Sequence, residues 1–172
     1  MKTVNYKTVA KRYLTRIKDQ KGPFKGYYVK GEYTYICDGC SFIRLDNSTF
    51  DDIIRPYFET YTGKNISASV ARLVDDCLRE SHNYINYDIA GTDAEKALFT
   101  HGDNYKVVNL KYIKPFLADN ILFAESDNKN NWTKTPLMII NKTSLDLIGY
   151  ILPINTGKTL QELKNTMNTQ ED

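Results

Sequence analysis

Apolar residues recur first at helical spacing and then at strand spacing along this chain. Val9, Ala10, Tyr13, Leu14 and Ile17 fall within an arc of roughly 140° at about 100° per residue, which predicts an amphipathic helix over residues 6–18 capped by Thr3 or Asn5. Gly22-Pro23 ends it. Residues 27–29, 33–37 and 41–45 are rich in aromatic and β-branched side chains and read as strands, with Lys30-Gly31-Glu32 as one turn and Asp38-Gly39 as a two-residue hairpin turn. Ser48-Thr49-Phe50-Asp51 has the form of a capping box before a short helix reaching Arg55. Pro56 should disturb it and leave residues 57–61 extended. Val70, Leu73, Val74, Cys77 and Leu78 form the stripe of a helix over residues 68–81, capped by Ser67.

Downstream, residues 84–89 alternate, with Ile85, Tyr87 and Ile89 on one face. The pattern weakens over residues 90–104, where 93–99 suggest a helical turn and 100–104 a loop. Strands are expected at 105–109, 121–124, 137–141 and 145–154, a short helix at 110–117 despite Pro115, and a polar loop at 127–131. The order predicts an α+β fold, a largely antiparallel sheet packed against helices. Residues 1–154 read as a single domain with 47–104 as an enlarged middle, and 155–172 as a polar tail with a short helix near 160–167.

The 172 residues are 41% hydrophobic and 12% aromatic, enough for a core without disulfides or metals. Three cysteines cannot pair completely, which fits a reducing cytoplasm. No apolar run follows the first basic residues, and no stretch of about 18 apolar residues exists, so neither a signal peptide nor a membrane span is expected.

Charge changes the picture more. The net +2 hides an uneven distribution: residues 1–30 hold nine Lys and Arg against Asp19, a net +8, leaving −6 for the rest. Lys7, Lys11, Arg12, Arg16 and Lys18 lie opposite the apolar arc of the first helix, and Lys21, Lys25 and Lys30 extend the basic segment. Such a face suits a polyanion such as DNA, an acidic protein or an RNA-loaded complex. Phe24, Tyr27, Tyr28, Tyr33 and Tyr35 interleave with these cations and are candidates for stacking on bases, although alternation sends about half of them to the core.

Catalytic chemistry is poorly supported. Cys37-Asp-Gly-Cys40 can clamp zinc if Cys77, His82 or His101 completes the set, but a second close-spaced pair is missing. Gly157-Lys158-Thr159 lacks the upstream glycine of a phosphate loop. Asp75, Asp76 and Glu80 alternate with Arg72 and Arg79, the pattern of a salt-bridged helix face rather than a nuclease centre. The expectation is a protein that is not an enzyme and takes no cofactor, with zinc at Cys37 and Cys40 the one metal alternative.

Four words in the last third carry a resemblance: Val107-Val-Asn-Leu-Lys-Tyr-Ile113, Asn120-Ile-Leu-Phe123, Pro136-Leu-Met-Ile139 and Tyr150-Ile-Leu-Pro-Ile154. Together with the first helix and Tyr35-Ile-Cys-Asp-Gly39, they resemble a single module of the bacterial-type DNA sliding clamps over about residues 1–46 and 105–154. The resemblance implies that Lys7, Lys11, Arg12, Arg16 and Lys18 face DNA and that Leu152, Pro153 and Ile154 lie in a partner-peptide groove. Clamp chains of this type carry three modules, so one module cannot encircle DNA unless it forms a homo-oligomer. A small chain of this kind looks like a phage or mobile-element accessory protein in a bacterial cytoplasm, binding DNA or a DNA-processing complex. The alternative is a host-defence inhibitor of the anti-CRISPR type, acting on a CRISPR nuclease by direct protein binding.

Overall fold

The structure is a computed structural model that describes residues 2–19, 25–80, 83–127 and 135–167. Helix α1 (Tyr6–Asp19) leads into strands β1 (Gly26–Lys30), β2 (Tyr33–Cys37) and β3 (Ser41–Asp46). A helical run follows, comprising α2 (Asn47–Thr49), a π-turn (Phe50–Ile54) and α3 (Arg55–Thr60), and then α4 (Ser67–Glu80). Strands β4 (Tyr84–Thr92), β5 (Lys96–His101) and β6 (Asn104–Asn109) precede α5 (Leu110–Ile113), whose last turn tightens to a 3₁₀ turn (Lys114–Phe116). Strands β7 (Ile121–Ser126), β8 (Leu137–Asn141) and β9 (Leu147–Ile151) complete the sheet, and α6 (Leu160–Met167) follows.

The architecture is the expected α+β one. The described strands form one antiparallel sheet in the order β1-β2-β3-β9-β8-β7-β4-β5-β6. Its first six positions are palindromic in plan. A helix followed by a three-stranded meander occurs twice, as α1-β1-β2-β3 and α5-β7-β8-β9, and the two last strands pair. The sequence shows no repeat at this period, so the symmetry lies in the topology alone.

Strand alternation sends side chains to two buried faces. Ile36, Ile43, Leu137, Ile139 and Phe123 meet Val9, Ala10, Tyr13 and Ile17 of α1, Ile113 and Phe116 after β6, and Phe50 and Ile54 of the π-turn. Tyr35, Phe42, Met138, Ile140 and Tyr150 face the opposite way, against Val70, Val74 and Cys77 of α4. Helix α6 covers Leu98 and Val107 with Leu163 and Met167. Among the described residues, no helix is long and apolar enough to cross a membrane.

Several local expectations need correction. Residues 57–60 are not extended, because the helix continues through α3, and only Tyr61 at its end takes extended backbone. The Arg55 N–H bonds to the Phe50 carbonyl, five residues back, so the helix widens just before Pro56. Proline's missing N–H then falls in the first turn of α3, where its absence costs least. The cap of this run is Asp46, whose carboxylate accepts from the Thr49 N–H at 2.8 Å, rather than Ser48. Residues 93–99 are not helical. Asp93 accepts from the Glu95 and Lys96 N–H groups in a turn, and β5 begins at Lys96. The hairpin after β2 turns on Gly39 and Cys40 rather than on Asp38 and Gly39, since Asp38 N–H still bonds across to Ser41 O. Gly39 has φ 89 while Cys40 does not take positive φ, as a type II′ turn demands. The last strand is Leu147–Ile151 instead of 145–154. Leu145, at φ 59, is still in the preceding turn, and the β9 register shifts between Ile139 and Ile140 of β8.

One ion pair ties three strands together. Lys106 Nζ lies 2.7 Å from Glu125 Oε2, and the two side chains are 9% and 8% exposed. Lys106 also donates to Thr135 O at 2.8 Å. The Tyr87 hydroxyl shares Glu125 and is pushed well above its ordinary range, by burial first and then by that carboxylate. Glu125→Gln or Lys106→Met should each lower the unfolding free energy in urea by about 3–5 kcal/mol, because each leaves a buried charge unpaired. Lys106→Met combined with Glu125→Leu should recover most of that loss. A double variant as unstable as the sum of the singles would show that the pair itself is not the cause.

Candidate nucleic-acid interface

Helix α1 forms because its apolar residues share one arc and Asn5 caps it, its Oδ1 accepting from the Thr8 N–H at 3.0 Å. Lys7, Lys11, Arg12 and Lys18 are exposed on its outer side, as expected from their spacing. Lys7 and Arg12 nevertheless serve different surfaces. With Lys7 as origin, Lys11 and Lys18 lie within about 40° on the helical wheel, whereas Arg12 and Arg16 lie at about 140° and 180°. The second pair turns toward α5, and Arg16, expected opposite the apolar arc, instead borders it and is largely buried.

There a cleft of about 510 Å³ opens between the helices, lined by Arg12, Thr15, Arg16 and Asp19 from one side and Lys111 and Lys114 from the other. Arg16 is its most fixed member. Its Nε lies 3.4 Å from Asp38 Oδ2, with side chains 11% and 0% exposed, and its Nη2 donates to Ser41 Oγ at 3.3 Å. Its guanidinium lies over the rings of Tyr13 at 4.3 Å and Tyr112 at 4.0 Å, an attraction added to the ion pair. Asp38 is held in turn, its Oδ1 accepting from the Cys40 and Ser41 N–H groups at 3.0 and 2.9 Å. Tyr13 is fully buried, and burial raises its hydroxyl well above the ordinary range. Thus Arg16 is positioned jointly by α1, the β2–β3 hairpin and α5.

Other basic residues lie elsewhere. Lys25 is buried, not on the surface: its ammonium donates to the Ile17 carbonyl near the end of α1 and to the Tyr57 hydroxyl at 2.8 Å. It closes a helix end rather than meeting a partner. Lys30 is exposed but bonds Asp75 of α4 at 2.6 Å, on the opposite side of the sheet from α1. Lys21 lies outside the described residues, as do Phe24 and His82. Tyr27 packs against Phe50 and Phe58 at 4.9 Å each, and Tyr35 against Phe42 at 5.8 Å, so these rings serve the core rather than a stacking surface.

Leu152, Pro153 and Ile154 follow β9 instead of belonging to it. The Leu152 N–H bonds Cys40 O at 2.9 Å and the Ile154 N–H bonds Val107 O at 2.7 Å. Ile154 is exposed and borders a small cavity of about 250 Å³ whose far wall includes Leu163 and Met167 of α6. Asp75 and Asp76 pair with Lys30 and Arg79 on α4, the salt-bridged face that the sequence suggests.

Cys37 and Cys40 flank the hairpin turn but differ in setting. Cys37 is buried and its thiol is pushed up to about 11 by burial, whereas Cys40 is exposed. Among the described residues, no three His, Cys, Asp or Glu side chains converge to hold a metal, so the zinc alternative gains no third ligand there. Lys111 and Lys114 are the site residues that the sequence reading missed. Their three-residue spacing puts them on one side of a helical turn, but nothing local shows that the turn faces Arg12 and Arg16. In the folded protein Cys40 should react with a thiol-directed alkylating agent well before Cys37 and Cys77, both buried, which should wait for unfolding. Mass mapping of the modified sites would test this, and equal labelling of Cys37 would contradict the buried hairpin base.

The chain matches no protein-family model, no curated protein and no solved structure.

Proposed function

We propose that this protein is a non-enzymatic binding module that offers its α1–α5 face to the phosphate backbone of DNA or of a nucleoprotein complex. The carrying observation is the cleft, where Arg12, Arg16, Lys111 and Lys114 meet a single carboxylate, Asp19. Four cations from two helices facing one acid form a surface that neutralises phosphate. Lys7, Lys11 and Lys18 form a second cationic row on another arc of α1. At about 1.5 Å per residue, Lys7 and Lys18 are separated by about 16 Å along the axis, a length that spans several phosphates of one strand.

The topology supports a clamp-like reading. A helix leading into strands at each end of the described chain, with both helices on one face of the sheet, supports it, since the resemblance implies helices that face DNA. A lone module acts as a scaffold rather than a ring, which fits an accessory protein of a phage or mobile element.

Fluorescence anisotropy with a labelled duplex bearing 5′-hydroxyl ends tests the reading. Affinity should fall steeply as salt rises from about 50 to 200 mM. The triple variant Lys11→Glu, Arg12→Glu, Lys114→Glu should weaken binding more than about tenfold and flatten the salt slope by roughly 0.9 per lost phosphate contact. Its thermal midpoint should stay near that of the parent, because all three side chains are exposed. Unchanged affinity would reject this face. A tight complex with a host nuclease, without any affinity for free DNA, would favour the inhibitor reading instead.

A further inference from the structure

Resting on that nucleic-acid reading, we infer that the α1–α5 cleft is a site for a compact terminal oligophosphate, the group shared by nucleoside triphosphates and 5′-triphosphorylated strand ends. The first ground is shape. A convex helix touches phosphodiesters one by one, but here cations from two elements surround a concavity of about 510 Å³. That volume lies within the roughly 300–1,000 Å³ common for small-ligand sites.

The second ground is charge concentration. Arg12, Lys111 and Lys114 against Asp19 leave two net positive charges around one void, with Arg16 beside them already paired to Asp38. A diester supplies one negative charge per nucleotide along an extended path. A terminal triphosphate supplies several within the reach of one cleft, so it can engage Arg12, Lys111 and Lys114 together. The third ground is preorganisation. Arg16 is fixed by Asp38 and Ser41 and held between Tyr13 and Tyr112, so its side-chain entropy is lost on folding rather than on binding.

The row formed by Lys7, Lys11 and Lys18 occupies a different arc of α1, so backbone tracking and end capture are separable by substitution. Binding of sodium tripolyphosphate to the full chain is measured by calorimetry, for the parent and for Lys111→Glu/Lys114→Glu. In parallel, duplexes ending in a 5′-triphosphate or a 5′-hydroxyl are compared by anisotropy, with a nucleoside triphosphate as competitor.

The parent should bind tripolyphosphate, and the double variant should lose roughly tenfold or more per reversed cation at an unchanged thermal midpoint. The triphosphate end should bind roughly tenfold tighter than the hydroxyl end, with that ratio falling to near one in the variant. Capture of tripolyphosphate and nucleoside triphosphate without any preference for the triphosphate end would support the site and name a free nucleotide as its source. Failure of the parent to bind tripolyphosphate, or equal binding by parent and variant, would overturn the inference. Salt-sensitive binding of the hydroxyl-ended duplex in that event would leave the nucleic-acid reading standing, and its loss would remove both.

Discussion

Three residue pairs hold the two halves of this sheet together: Ser41 with Ile151, Phe42 with Tyr150, and Ile43 with Gly149. The seam is tight at its last pair. A Cβ on Gly149 would come within 2.4 Å of the Phe42 carbonyl oxygen, so the backbones approach as closely as they do only because the side chain is a hydrogen. Phe42 and Tyr150 close the seam on the α4 side with rings 4.4 Å apart. Because β3 and β9 each end a helix-led meander, joining them there brings α1 and α5 onto the same face. The cationic cleft is therefore a consequence of how the sheet is sewn, not of either helix alone.

That dependence explains what the sequence could and could not tell. Helices α1, α4 and α6 and most strands were legible, because each buries one stripe or alternates, and local periodicity records burial. The run through Pro56 was not, since a π-turn shifts the hydrogen bonding by one residue and the proline lands where a helix tolerates it. Strand β5 was hidden because Ala97, Leu98 and Phe99 are buried on both sides, and a short apolar run does not distinguish strand from helix. Lys111 and Lys114 were hidden for a longer-range reason. Their role arises from the β3–β9 seam, which no window containing them reports.

The basic segment shows the same division between local and tertiary information. Composition treats Lys25, Lys30 and Arg16 as equal charges. The fold gives each a different use: Lys25 closes the end of α1, Lys30 ties β1 to α4, and Arg16 anchors the cleft. Charge asymmetry pointed to the end of the chain that supplies one wall of the cleft, but the count there overstated the cations that line it. The loss is offset by two lysines from α5.

Arg16 would couple stability to the proposed recognition at this surface. The Asp38 side chain is wholly buried, and its second oxygen has no hydrogen-bond partner and is compensated by its ion pair with the neighbouring guanidinium. Without Arg16 the hairpin would carry an uncompensated buried carboxylate, a defect costing about 3–5 kcal/mol by the general behaviour of broken buried pairs. The arginine is thus required by the fold before any ligand arrives. Its charge is partly satisfied by Asp38, which weakens its pull on an incoming phosphate, while Tyr13 and Tyr112 hold its plane in place. Under the proposed reading, affinity at the cleft comes mainly from the freer Arg12, Lys111 and Lys114, with Arg16 setting orientation. A surface built this way discriminates by the arrangement of charge in a ligand more than by its total, because one of its four cations cannot move to follow a poorly placed anion.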